Sequence, residues 1–173
     1  NRHDAFVASG PASPEPPRGG FHFRASQQPV IKRRMAAKLT LGFLGAGKMA
    51  TALARGFVRA KLVSPRDLLA SDPSESAAKA FGAETGARTT RSNLEVAAFA
   101  RVLVLAVKPD QAASVLTEIR PRFNRQQLLI SIAAGVPTAK LEAALGDGAR
   151  VIRVMPNTPA LIGASATGYA LGK

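Results

Sequence analysis

From Leu39 onward, short apolar runs alternate with stretches in which apolar residues recur every three or four positions. That alternation predicts strands leading into helices. Leu39 to Leu44 is expected to be a strand, and Lys48 to Ala60 a helix with Met49, Leu53, Phe57 and Ala60 on one face. A second strand, Asp67 to Ser71, leads to a helix opened by Pro73, a residue suited to a first helical turn. A short strand follows at Arg88 to Thr90, a helix at Ser92 to Ala100, a strand at Val102 to Val107 and a helix at Asp110 to Arg120. Leu128 to Ile132, Thr138 to Leu145 and Val151 to Val154 complete the series as strand, helix and strand. Such alternation implies an α/β fold, a Rossmann-type doubly wound and mostly parallel sheet with helices on both faces. Val104 to Val107 and Leu128 to Ile132, apolar throughout, read as central strands buried on both faces.

Upstream of Met35 the pattern stops. "GPASPEPPRGG" is rich in proline and glycine and no apolar periodicity recurs, so residues 1–37 are expected to be a disordered or targeting tail and 38–173 the folded domain. The first methionine is Met35, which leaves two readings of residues 1–34. They are either a targeting or linker segment of a chain cut at its start, or translated sequence upstream of the true start. The first reading admits a plastid or mitochondrial transit peptide; the second leaves a cytoplasmic protein.

Composition narrows the chemistry. The chain has 173 residues, no cysteine and two histidines, His3 and His22, both in the tail. A thiolate nucleophile, a Cys-ligated zinc and a histidine triad within the domain are thereby excluded, and no metal site is expected. No run approaches the roughly 18 apolar residues needed to span a bilayer, so no membrane association is expected. The net charge of +13 divides into +5 over residues 1–38 and +8 over the rest. With eight phenylalanines, one tyrosine and no recognition motif, the excess reads as a solvated basic surface that attracts anionic small molecules, and no nucleic acid is expected.

The first strand turns into its helix through "GFLGAGKMATALARGF", where Gly45, Gly47 and Ala50 fit G-x-G-x-x-A. The first glycine permits the tight turn, the second lets a pyrophosphate approach the backbone, and Ala50 lets helix and strand pack closely. Gly42 crowds the same segment. The amides at the helix start then face an anion. Asp72, 25 positions after Gly47, closes the second strand where a carboxylate reads a ribose 2′-hydroxyl and repels a 2′-phosphate. That favours NADH over NADPH; the alternatives are that Asp72 merely caps the next helix, or that Arg88 or Arg91 reaches a 2′-phosphate.

"GFLGAGKMATALARGF", "LAVKPDQ", "SIAAGV" and "RVMPNTPALIG", in this order, resemble pyrroline-5-carboxylate reductase over about Leu39 to Gly172. The resemblance implies NAD(P)H-dependent reduction of 1-pyrroline-5-carboxylate to L-proline, with NADPH or NADH as cofactor. It places the pyrophosphate over Leu44, Gly45, Ala46, Gly47, Lys48 and Met49. It puts Asp72 where members often carry serine, and Asn93 at the adenosine side. Ala106, Val107, Lys108 and Pro109 would pass beside the cofactor, Ile132, Ala133 and Ala134 near the nicotinamide, and Asn157, with Met155, Pro156 and Thr158, along the reaction cleft. Lys108 can equally be a solvated strand-end lysine, Ala133 and Ala134 a packing contact, and Asn157 a turn former between prolines. The resemblance further implies a C-terminal helical domain that forms the homodimer or larger oligomer and completes the substrate site. On that expectation this chain is a fragment, binds the cofactor and leaves the substrate unreduced. No catalytic residue is assigned. Another imine or 3-hydroxyacid reductase, or a non-catalytic dinucleotide-binding module, would share these features.

Overall fold

The computed structural model describes residues 39–157 and 167–172, all within the unit Met35–Lys173. The expected tail, 1–37, and Thr158 lie outside the described residues. The elements in chain order are β1 (Leu41–Leu44), α1 (Lys48–Arg59), β2 (Leu68–Ser71), α2 (Glu75–Thr85), β3 (Arg88–Thr90), α3 (Asn93–Phe99), β4 (Val102–Leu105), α4 (Ala112–Ile119), β5 (Leu128–Ser131), α5 (Thr138–Leu145), β6 (Arg150–Pro156) and β7 (Thr167–Leu171). The seven strands form one sheet in the order β3-β2-β1-β4-β5-β6-β7. All pairings are parallel except β6 with β7, which is antiparallel. The chain reverses its direction of winding between β1 and β4, and the crevice above that point is where such folds bind ligands.

Two apolar cores lie on opposite faces. Because side chains alternate along a strand, Leu41 and Phe43 join Ala50, Ala54, Leu68, Ala70, Phe81 and Val104 in one core. Leu44 joins Val96, Leu103, Leu105, Leu116, Leu129 and Leu141 in the other. Phe43 meets Phe81 with ring centroids 5.5 Å apart, tilted by 57°. A buried amide pins the second core: Gln127 donates from Nε2 to the carbonyls of Ala97 and Ala100, at 2.7 and 2.6 Å, and accepts the amide of Asn124 at 2.8 Å.

Several boundaries depart from the pattern-based reading. Pro73 does not open α2. Ser74 caps that helix, its Oγ accepting the Ala77 amide at 3.4 Å, because a hydroxyl satisfies an orphan helical N–H and proline leaves the residue before it extended. β4 ends at Leu105, so Ala106 and Val107 belong to the following turn; Pro109–Gln111 form a short 3-10 helix ahead of α4. β5 is buried on one face only, with Leu128 and Ile130 half-exposed. The two-faced burial expected there fails because no described helix covers that face of β5. Gly42 is not part of the turn either. It lies within β1, where an added Cβ would come within 2.5 Å of Val96 Cγ1 and 2.7 Å of the Ala100 Cβ, so its bareness lets α3 press onto the sheet.

Candidate functional site

The ends of β1, β2 and β3 carry a connected set of groups. Gly45 adopts φ +98°, open to glycine, and a Cβ there would meet the Ala106 carbonyl oxygen at 2.8 Å. The turn is therefore wedged against the end of β4, and its amide donates to the Ser71 carbonyl at 2.8 Å. Leu44 is fully buried and its carbonyl accepts the Ala106 amide at 2.8 Å, so Leu44 supports the turn from below. Ala46 is buried, and its amide donates to Asp72 Oδ2 at 2.9 Å. Asp72 Oδ1 accepts the Ser74 amide at 2.8 Å. The carboxylate thus straps the β1–α1 turn to the β2–α2 turn. The alternative of Asp72 as helix cap is set aside, since Ser74 holds that position.

α1 begins at Lys48 with Gly47 as its N-cap, with no side-chain cap and no acidic residue in its first turn. Its leading amides are left for an anion, with the exposed Lys48 at the same end and Met49 half-buried beside it. A Cβ at Gly47 would meet nothing within 4 Å, so the space above the turn is open. These residues fit a pyrophosphate. A cleft of about 570 Å³ opens alongside, between α1 and α2, lined by Ala46, Gly47, Thr51, Arg55, Ala77 and Glu84.

At the end of β2, Ser71 donates to Asn93 Oδ1 at 2.6 Å, and Asn93 Nδ2 donates to Glu118 Oε2 at 2.7 Å. Arg88 stacks over the Phe99 ring, 5.3 Å from its centroid, on the β3–α3 side. Arg91 pairs with Glu75 at 3.8 Å, while Glu75 also holds Lys79 at 2.7 Å.

The other end of the edge is built differently. Ala106 and Val107 are half-buried, and Lys108 and Pro109 exposed, in the turn above β4. Ile132 donates its amide to the Leu105 carbonyl at 3.0 Å, which draws the end of β5 toward that turn. Ala133 faces the core, with its amide on Ser131 Oγ at 3.3 Å, whereas Ala134 is exposed. Of that pair only Ala134 presents its side chain outward. Register aligns Leu44, Leu105, Ser131 and Arg153 at one level. Asn157 stands four residues past Arg153, about 13 Å farther out along an extended chain. It follows directly on β6, which continues past its pairing with β5 to pair with β7.

Sequence reasoning missed Ser71, Ser131 and Glu118. The first two carry a legible signal, since "LLAS" and "LLIS" each close an apolar strand on a serine. Glu118 carries none, because only the packing of α3 against α4 brings it to Asn93.

Residues 40–135 match the family described as NADP oxidoreductase coenzyme F420-dependent. The chain is 43% identical over 133 residues to pyrroline-5-carboxylate reductase of Methanosarcina acetivorans, an alignment covering 77% of this chain and 49% of that protein. Among solved structures, a Plasmodium falciparum pyrroline carboxylate reductase with NADP bound superposes with a TM-score of 0.69 at 38% identity, covering 78% of this chain and 48% of that one. A pyrroline-5-carboxylate reductase from Coxiella burnetii gives 0.74 at 34%, covering 79% and 51%. The chain spans about half the length of the curated relatives it matches.

Proposed function

Because the chain belongs to the NADP oxidoreductase coenzyme F420-dependent family, with pyrroline-5-carboxylate reductases as its relatives, we propose that it holds a nicotinamide dinucleotide for the reduction of 1-pyrroline-5-carboxylate to L-proline. The observation that carries the proposal is the uncapped start of α1 beneath Gly45 and Gly47, open above and strapped by Asp72, at the point where the sheet reverses its winding.

In this reading the amides of Gly47 and Lys48 and the Lys48 ammonium hold the pyrophosphate. Asp72 accepts from a ribose hydroxyl, and Asn93 binds on the same side. Ala106 to Pro109 run beside the cofactor. Ala134 leaves room for a flat ring beside Ile132, while Ala133 holds the turn onto the core. Asn157, with Met155 and Pro156, stands at the rim of the substrate cleft. Bound there, a dihydronicotinamide would supply the hydride for the imine carbon, with the ring nitrogen taking or already carrying a proton. What the chain itself contributes is orientation and partial exclusion of water. A homodimer or larger oligomer is part of the proposal, supported by exposed Met155, Tyr169 and Leu171 on β6 and β7. So is a cytoplasmic location; among the described residues no helix is long and apolar enough to cross a membrane.

The test has two arms. Fluorescence titration of the purified chain with NADH and NADPH is expected to saturate, and a flat titration with both would overturn the cofactor assignment. Oxidation of NAD(P)H by the full-length protein is expected to depend on pyrroline-5-carboxylate; indifference to that imine would overturn the substrate.

A further inference from the structure

Asn93 is held at both ends of its amide. The Ser71 hydroxyl, 1% exposed, lies 2.6 Å from Asn93 Oδ1 and 3.4 Å from the Phe43 carbonyl oxygen, and Asn93 Nδ2 lies 2.7 Å from Glu118 Oε2 on α4. A primary amide keeps its shape when its oxygen and nitrogen exchange places, so its neighbours decide which end points where. Ser71 is compatible with both orientations. It can donate to the Asn93 carbonyl, as observed, or donate to the Phe43 carbonyl and accept from an Asn93 NH2 turned inward. Glu118 is not so tolerant, because an ionised carboxylate only accepts. With Glu118 in place, the NH2 end must face outward and the carbonyl points inward to Ser71.

We propose that Glu118 is a positioning residue for the cofactor site: it locks the Asn93 amide so that this side chain offers the adenosine ribose a hydrogen-bond donor and no acceptor. The proposal rests on the dinucleotide reading above. It complements Asp72, which offers only acceptor atoms. A ribose hydroxyl can donate to one and accept from the other, and such paired recognition fails if Asn93 turns its carbonyl outward, since a hydroxyl has one proton and cannot donate to two acceptors.

The test uses two substitutions at this exposed position. Glu118→Gln can still present a carbonyl to Asn93, and is expected to bind NADH and NADPH within about twofold of the unchanged chain. Glu118→Lys places a donor where the acceptor stood and forces the amide over, so both dinucleotides should bind about tenfold more weakly. A role as mere surface charge predicts the opposite, because replacing an anion with a cation beside an anionic ligand should tighten binding. Equal or tighter binding by Glu118→Lys in a chain that otherwise binds dinucleotide would overturn this proposal alone. Failure of the unchanged chain to bind either dinucleotide would overturn it together with the cofactor reading. An independent readout is the Asn93 side-chain NH2 resonance in cofactor-free protein, assigned by its loss in Asn93→Ser. It should move in Glu118→Lys and stay near its place in Glu118→Gln; an unmoved resonance in Glu118→Lys would also overturn the proposal.

Discussion

One row of side chains crosses a single face of the sheet from Phe43 through Val104, Ile130 and Ile152 to Leu171, each opposite the next by register. At its start Phe43 and Val104 are 0% and 1% exposed; Ile130 and Ile152 are half-buried, and Leu171 is 68% exposed. All five residues are apolar, so the gradient comes from what lies above them. α1 and α2 roof the face over β1 and β2, and no described helix roofs it over β5 to β7. The candidate site divides along the same line. Its end above the roofed strands is tied by the side chains of Ser71, Asp72, Asn93 and Glu118. Its other end, above β4 to β6, rests mainly on backbone turns, small residues and the exposed Lys108 and Asn157. The covered half is held by side-chain hydrogen bonds between elements, while the open half leaves apolar side chains exposed.

The contrast can be broken most forcefully at its roofed end. Phe43→Ala removes a ring packed against Phe57 and Phe81 and should cost about 3–5 kcal/mol in urea unfolding. A loss below about 1 kcal/mol would show that the roof is loosely packed. Next, Gly47→Val should weaken dinucleotide binding by about a hundredfold or more while the melting temperature holds, since a Cβ at this position meets nothing within 4 Å and the new side chain enters the space above the turn. If binding survives, the pyrophosphate lies elsewhere.

A smaller effect sharpens the comparison at Asp72. The unchanged chain should bind NADH several-fold more tightly than NADPH, because the carboxylate stands at the end of β2 while Arg88 is stacked on Phe99 and Arg91 is engaged with Glu75. Asp72→Ser should narrow that preference and cost about 1–2 kcal/mol of stability, because the Ala46 and Ser74 amides lose their acceptor. Tighter NADPH binding by the unchanged chain would point to Arg91 leaving Glu75. The smallest effect belongs to the open end. Leu171→Ser should change stability by less than about 0.5 kcal/mol and reduce any self-association seen by sedimentation. A large loss of stability would mean that this end of the row is covered after all.

Much of this was legible before any coordinates. Residues 88–90 and 138–145 fall into the strand and helix that their patterns predict. The glycine turn was readable because positive φ at position 45 demands a residue without a side chain, and few other patterns put glycines at that spacing. Less legible were the ends of elements. Pro73 carries a genuine helix-start signal, yet Ser74 starts α2 because its hydroxyl reaches the Ala77 amide, a contest between neighbours that propensity alone does not decide. Gly42 reads as part of the turn by proximity in sequence, although its reason for being glycine is a helix more than 50 residues later.

Apart from β7 and its antiparallel pairing, which it missed, the sequence by itself determined the order of strands and helices as far as β6, the parallel winding they require, and the turn that bares the start of α1. These follow from local forces: apolar period, backbone sterics and the orphan amides of a helix end. Only the tertiary structure decided that Ala133 turns inward while Ala134 faces out, that Asp72 straps two turns together, and that Glu118 fixes the amide of Asn93. The physical reason is that a hydrogen bond between side chains 25 positions apart, or a difference of exposure between adjacent alanines, leaves no periodic trace along the chain. It arises where separate elements pack, and the energy that selects it belongs to the contact between them.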